Sequence, residues 1–181
     1  MTDEAELINR LKNGKQREQA FTELVRCHQE RLYWQIRRMV VNHEDADDVL
    51  QNTLMKAWAA LDTFRGESKL GTWLYQIALH ETMNFLRKKK QMLSIDDEQA
   101  FMAQLSADPY FDGDETQQQL QQAIRMLPDK QRAVFNMKYF EEMKFEEISE
   151  VFGTSVGALK ASYHFAVKKI TANFESLDST I

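Results

Sequence analysis

One cysteine, two prolines and six glycines are spread over 181 residues. The lone Cys27 excludes an intrachain disulfide framework and fits a reducing compartment. So few Gly and Pro leave little to interrupt helices. Runs of β-branched residues in two-residue alternation are also missing, which removes the usual signal of half-buried strands. No apolar stretch approaches the ~18 residues of a membrane span. The N-terminal MTDEAELINRLKNGK has no apolar core, so a signal peptide is not expected either. The expectation is a soluble, cytoplasmic protein. Basic excess is lacking too: 23 Lys and Arg stand against 28 Asp and Glu, a formal charge of −5. A domain that holds DNA alone is usually basic, because phosphate neutralisation supplies most of its grip. Any DNA-binding reading must therefore rest on where the charge lies.

What is plentiful is Leu, Met, Lys, Glu, Gln and Ala, all good helix formers. The spacing predicts a helix over about Asp3–Lys12, ended by Asn13-Gly14, and a second over about Arg17–Val41. In the second, Phe21, Leu24, Val25, His28, Leu32, Ile36, Met39 and Val40 recur at helical intervals. Asn42-His43 stops it and can cap a third helix, whose first turn holds Glu44, Asp45, Asp47 and Asp48. Val49, Leu50, Thr53, Leu54, Ala57, Trp58 and Leu61 form its inward face, with Leu54, Ala57 and Trp58 expected in the core. DTFRGESK reads as a loop, and a fourth helix runs over about Leu70–Lys90 with Leu74, Ile77, Ala78 and Phe85 inward. Periodicity then fails through SIDDEQ and SADPYFDGDE, an acidic, loosely structured linker. It resumes at Leu120, Ala123, Ile124 and Leu127, and Pro128 suits the start of a helix over about Asp129–Tyr139. The expected fold is all-α: two small helical domains joined by an acidic flexible linker, with boundaries at 1–90, 91–115 and 116–181.

The strongest local signal lies near the end of the chain. Phe145, Ile148, Val151 and Phe152 make the apolar face of a short helix, and Gly153 follows at once. Glycine tolerates the left-handed conformation of a tight turn, and Thr154 or Ser155 can cap the next helix. Leu159, Tyr163, Ala166, Val167 and Ile170 turn that helix inward. Two helices joined by such a turn form a helix-turn-helix, whose second helix enters the major groove. From Ser155 to Thr171 this helix carries Lys160, Lys168 and Lys169 and no acid, while Glu146, Glu147 and Glu150 lie on the helix before it. The outward residues Ser155, Val156, Gly157, Ala158, Lys160, Ala161, His164 and Lys168 are the candidates for DNA contact.

Two blocks of the chain together resemble the bacterial RNA polymerase sigma factors of the small extracytoplasmic-function (ECF) type. They are HEDADDVLQNTLMKAWAALDTFRGESKLGTWLYQIALHETMNFLRKKK and LPDKQRAVFNMKYFEEMKFEEISEVFGTSVGALKASYHFAVKKI, and the likeness extends over about Phe21–Phe174. The resemblance implies that the first block is region 2, which binds the polymerase clamp and the −10 promoter element. The second is then region 4, which reads the −35 element and contacts the polymerase flap. Such a protein is no enzyme and needs no cofactor. It directs core RNA polymerase to specific promoters and promotes melting of the duplex, and its family implies an anti-sigma partner.

By this resemblance Asp45, Asp48, Gln51, Asn52 and Lys56 contact polymerase. Phe64, Arg65, Lys69, Tyr75, His80, Asn84, Arg87 and Lys88 serve the melted −10 strand. The chemistry fits. Cations meet phosphates, aromatic rings stack on unpaired bases, and a flipped base needs a pocket such as loop Phe64–Lys69 offers. Trp73 falls on the inward stripe and reads better as core. The chain also departs from the family. Many members carry Arg and Asn at the positions of Leu79 and His80, Asp at Asn84, and Arg at Ser162 and Phe165. The last departure removes bidentate guanine readers from the recognition helix.

A stand-alone helix-turn-helix regulator is the nearest alternative. It leaves the first block without a purpose and asks an acidic chain to bind DNA unaided, whereas tethering to polymerase supplies avidity. An enzyme fits less well. His28, His43, His80 and His164 show no metal-ligand spacing, and no nucleotide-binding glycine loop occurs. Finally, acids beside basic faces suggest that the linker lets the two domains pack together in an inhibited form.

Overall fold

The computed structural model describes residues 4–40, 42–92 and 115–178, so most of the expected linker lies outside the described residues. The described residues form eight α-helices and one 3-10 turn, with no strand among them. The helices are α1 (Glu4–Lys12), α2 (Arg17–Arg37), α3 (His43–Ala60), α4 (Leu70–Met92), α5 (Glu115–Arg125), α6 (Asp129–Tyr139), α7 (Phe145–Phe152) and α8 (Val156–Asp178).

The caps follow the local chemistry. Asn42 opens α3, its side-chain oxygen accepting from the Asp45 N–H at 2.7 Å. Because Asn42 must stay outside the helices to do this, α2 closes at Arg37 rather than at residue 41. Met39 and Val40 still reach the core from the turn, their N–H groups bonded to the Ile36 carbonyl. At the other end α4 passes the expected boundary and runs through Met92. No breaker stands there, and Lys89 and Lys90 are tied to Asp45 and Asp129. Glu115 likewise opens α5 instead of closing the linker.

Helices α1 to α4 pack around Leu24, Leu32, Ile36, Val49, Leu70 and Leu74, all 2 % exposed or less. Fully burying such side chains contributes roughly 1.5–3 kcal/mol each. Trp58 is a correction to the expected core: it is 36 % exposed, while Ala57 beside it is fully buried. Its ring lies on the surface, edge-on to Phe21 at 5.1 Å and covered by the Arg17 guanidinium at 5.0 Å. A flat, large ring covered in this way keeps much of its apolar contact without entering the core.

In the second half α5, α6 and α8 enclose Ala123, Ile124, Leu127, Phe135, Ala166 and Ile170. The two halves then pack on each other. Ala133, Val134, Met137, Met143, Ile148 and Val151 belong to one continuous apolar cluster with the core of the first half. Helix α7 lies on α4, and this contact decides what the candidate DNA faces display.

Candidate nucleic-acid and polymerase interface

On α3, Asp48, Gln51, Asn52 and Lys56 are exposed, beside Met55 at 70 %. Asp45 is not outward in the same way. It is held by the Lys89 ammonium, tying the start of α3 to the end of α4. Lys56 reaches Glu81 at 2.6 Å.

Helix α4 carries a polar row at three- and four-residue steps. It runs from Gln76 through His80 and Asn84 to Arg87 and Lys88, one face of a helix. The Asn84 amide lies 3.2 Å from the His80 ring nitrogen, and Arg87 donates to the Asn84 oxygen at 3.1 Å. The row begins at an open cleft of about 410 Å³, lined by Thr63, Phe64, Arg65, Glu67, Ser68, Trp73 and Gln76 together with Glu150 of α7. Arg65 and Lys69 are exposed around the loop. Phe64 is packed, 7 % exposed and tilted against Trp73 at 5.1 Å. Trp73 is half-buried and lines the cleft as well as the core.

Tyr75 is 4 % exposed, with Arg31 of the first half over its ring at 5.8 Å and Glu141 of the second half at its hydroxyl. Its hydroxyl donates to Glu141 Oε2 at 3.4 Å. Burial first, and the Glu141 carboxylate second, push the phenol's pKa upward, so it remains a donor. Glu141 is itself 8 % exposed in its side chain and is paired with Arg38, with Arg31 Nε at 3.5 Å. Around it, Gln76 donates to the Glu150 carbonyl at 2.7 Å, Lys90 meets Asp129 at 2.8 Å, and the Arg38 guanidinium lies 4.6 Å from the Phe140 ring centre. Asn136 Nδ2 reaches the Arg38 carbonyl at 3.4 Å, while its Oδ1 is buried with no protein partner.

Arg31, Arg38, Gln76 and Glu141 carry no signal in the sequence, and Glu150 stands there only as one of three acids on the helix before the recognition helix. Glu141 and Asp129 of the second half pair with Arg31, Arg38 and Lys90 of the first half; the acids expected in this role belong to the linker, most of which lies outside the described residues. Arg132, also nearly buried, has its pKa lowered by burial, offset by Asp129 at 2.9 Å.

The helix-turn-helix forms as the residues dictate. Gly153 takes the left-handed conformation, φ 61° and ψ 33°, and its N–H closes on the Ser149 carbonyl. Ser155 caps α8, its hydroxyl accepting from the Ala158 N–H at 3.3 Å. Gly157, Ala158, Lys160, Ala161, His164 and Lys168 are exposed along α8, and Val156 is half-buried. These residues stay exposed while the halves are packed together, in contrast to Tyr75 and the cleft on α4.

Residues 24–92 match the sigma-70 region 2 family, and residues 117–170 match the sigma-70 region 4 family. The ECF RNA polymerase sigma factor SigW of Bacillus subtilis (strain 168) is 33 % identical over 168 residues, covering 87 % of this chain and 89 % of SigW. This chain belongs to the ECF sigma factors. The fold agrees. CnrH, solved in complex with the cytosolic domain of CnrY, superposes with a TM-score of 0.70 at 23 % identity, covering 96 % of this chain and 97 % of CnrH. The sigma factor RpoE of Bartonella quintana, solved with the anti-sigma factor NepR, gives 0.66 at 22 % identity over 86 % of this chain and 96 % of RpoE.

As a sigma factor the chain binds core RNA polymerase and directs it to promoters. The match over residues 24–92 gives the first block its purpose and removes the stand-alone regulator. The region 2 match runs from Leu24 within α2 to the end of α4, and the region 4 match from Gln117 within α5 to Ile170 within α8. Among the described residues no helix is long and apolar enough to cross a membrane.

Proposed function

We propose that this sigma factor reads its promoter through two faces that are unequally available in the free protein. The domains correspond to those expected from the sequence, 1–90, 91–115 and 116–181, with the flanking helices extending to Met92 and starting at Glu115. The first takes the clamp through Asp45, Asp48, Gln51, Asn52 and Lys56. Its −10 face is the α4 row His80, Asn84, Arg87 and Lys88, with Arg65 and Lys69 gripping phosphate beside the cleft. Phe64 and Trp73 shape that cleft for an unstacked base. Tyr75 joins this face when region 4 moves away. The −35 face is the exposed side of α8. The protein supplies no catalysis of its own and works in the cytoplasm, where polymerase is. An anti-sigma factor, of the kind bound to RpoE, is its natural antagonist.

One observation carries this reading: the α4 row is continuous from the cleft to Lys88, and α7 sits on its cleft end through Gln76 and Glu150. The packed arrangement is the resting form, and engagement of the clamp and flap on polymerase separates the two regions. Run-off transcription with purified core enzyme over genomic fragments tests the reading. Transcripts that require this protein are expected from specific fragments. With Asn84→Ala and Arg87→Ala combined, promoter melting should fall while duplex protection at −35 persists. With Lys160→Ala and His164→Ala combined, −35 protection should fall. Core enzyme with folded protein yielding no dependent transcript contradicts the proposal.

A further inference from the structure

The outward side of α8 carries two parallel rows. One is cationic or polar: Lys160, His164 and Lys168, at steps of four. The other is apolar: Ala158, Ala161 and Phe165, at steps of three and four, all exposed. Phe165 is 53 % exposed, its ring edge-on to His164 with centroids 6.0 Å apart. By contrast Phe135, Phe145 and Tyr163 pack against one another inside region 4. The core therefore makes no use of most of the Phe165 ring. From Val156 to Asp178 the helix contains no arginine, so the planar fork that reads guanine O6 and N7 is missing.

Among the four bases, thymine alone offers an apolar group in the major groove, its C5-methyl, and Ala and Phe side chains are suited to touch it. The neighbouring row supplies the matching phosphate and polar contacts. We propose that Phe165, with Ala161 beside it, selects the −35 element by contact with thymine C5-methyl groups of the double-stranded promoter. This inference rests on α8 being the −35 reader and names the chemistry of its specificity. Lys160 and His164 hold the helix in register, and Phe165 makes the choice of base.

The test uses the full chain assembled with core polymerase, on a promoter that gives a transcript dependent on it. Each thymine of the −35 element, on either strand, is replaced in turn by deoxyuridine. This removes the methyl and keeps the base pair and O4. At one or two adjacent positions binding is expected to weaken about three- to fivefold, the size of one lost buried methyl contact. In Phe165→Ala the thymine-over-uracil preference at those positions should vanish, and Phe165→Leu should restore part of it. The residue is exposed, and an unchanged thermal transition shows that the variant folds. Equal binding of thymine and uracil at every −35 position overturns the inference, as does a Phe165→Ala protein that keeps the preference. Failure of the underlying reading looks different: binding would then be indifferent to replacement of the whole −35 element.

Discussion

Replacing Glu141 by Gln should open the free protein. The Glu141 carboxylate is 8 % exposed and paired with Arg38, itself only 20 % exposed in its side chain. Arg31, at 56 % exposure and 3.5 Å, adds little because solvent screens it. The Arg38 pair and the Tyr75 hydroxyl dominate. Hydrogen bonds to a charged group contribute about 1.5–3 kcal/mol, and Gln keeps the shape but not the charge. The closed form should therefore lose roughly that much, a shift of about 10- to 150-fold toward the open form. Even if closed molecules remain the majority, the apparent affinity of the free protein for a single-stranded −10 oligonucleotide rises in proportion to the open fraction. Fluorescence anisotropy with a labelled oligonucleotide reads this directly. An affinity unchanged from wild type, in a variant with an unaltered thermal transition, would refute the role of Glu141 as the latch.

Other perturbations probe the scaffold and the reading face. Ser155→Ala removes the α8 cap and should cost about 1 kcal/mol of stability, seen in urea unfolding. Gly153→Ala must hold φ at 61° with a Cβ and should cost roughly 1–2 kcal/mol in the same assay. His28, whose pKa is lowered by burial and then by Arg31, packs neutral, with its ring 2.9 Å from where a Gly71 Cβ would stand. Its contribution is complete above the unfolded value of 6.5 and is lost as pH falls through the lowered folded value. Thermal midpoints of wild type and His28→Asn should therefore converge on acidification, and a constant difference would oppose this.

Local chemistry made much of the molecule legible. Asn42, Gly153 and Ser155 act where their side chains or backbone demand, and periodicity marks most of the α4 and α8 faces, missing Val167, expected inward and 38 % exposed, and Tyr75, expected outward and buried. Trp58 was misplaced because periodicity marks a helix face without showing that Arg17, far away in the sequence, covers the ring. Tyr75 and Glu141 are the larger lesson. Tyr75 is 4 % exposed, and its hydroxyl meets a carboxylate of the second half 66 residues further on. Nothing local in Tyr-Phe-Glu-Glu announces a carboxylate that closes over two arginines. Such a contact is a property of the assembled halves, and pattern within one helix carries no trace of it.

The most direct test is the distance between the two regions with and without polymerase. In a Cys27→Ser background, Thr22→Cys on α2 and Thr171→Cys on α8 give two exposed labelling sites. Pulsed electron resonance on the free protein should show one short, narrow distance distribution. Adding core RNA polymerase should replace it with a longer one, as α7 leaves α4 and the cleft end of the −10 face is uncovered. The same distribution in both states would contradict the account.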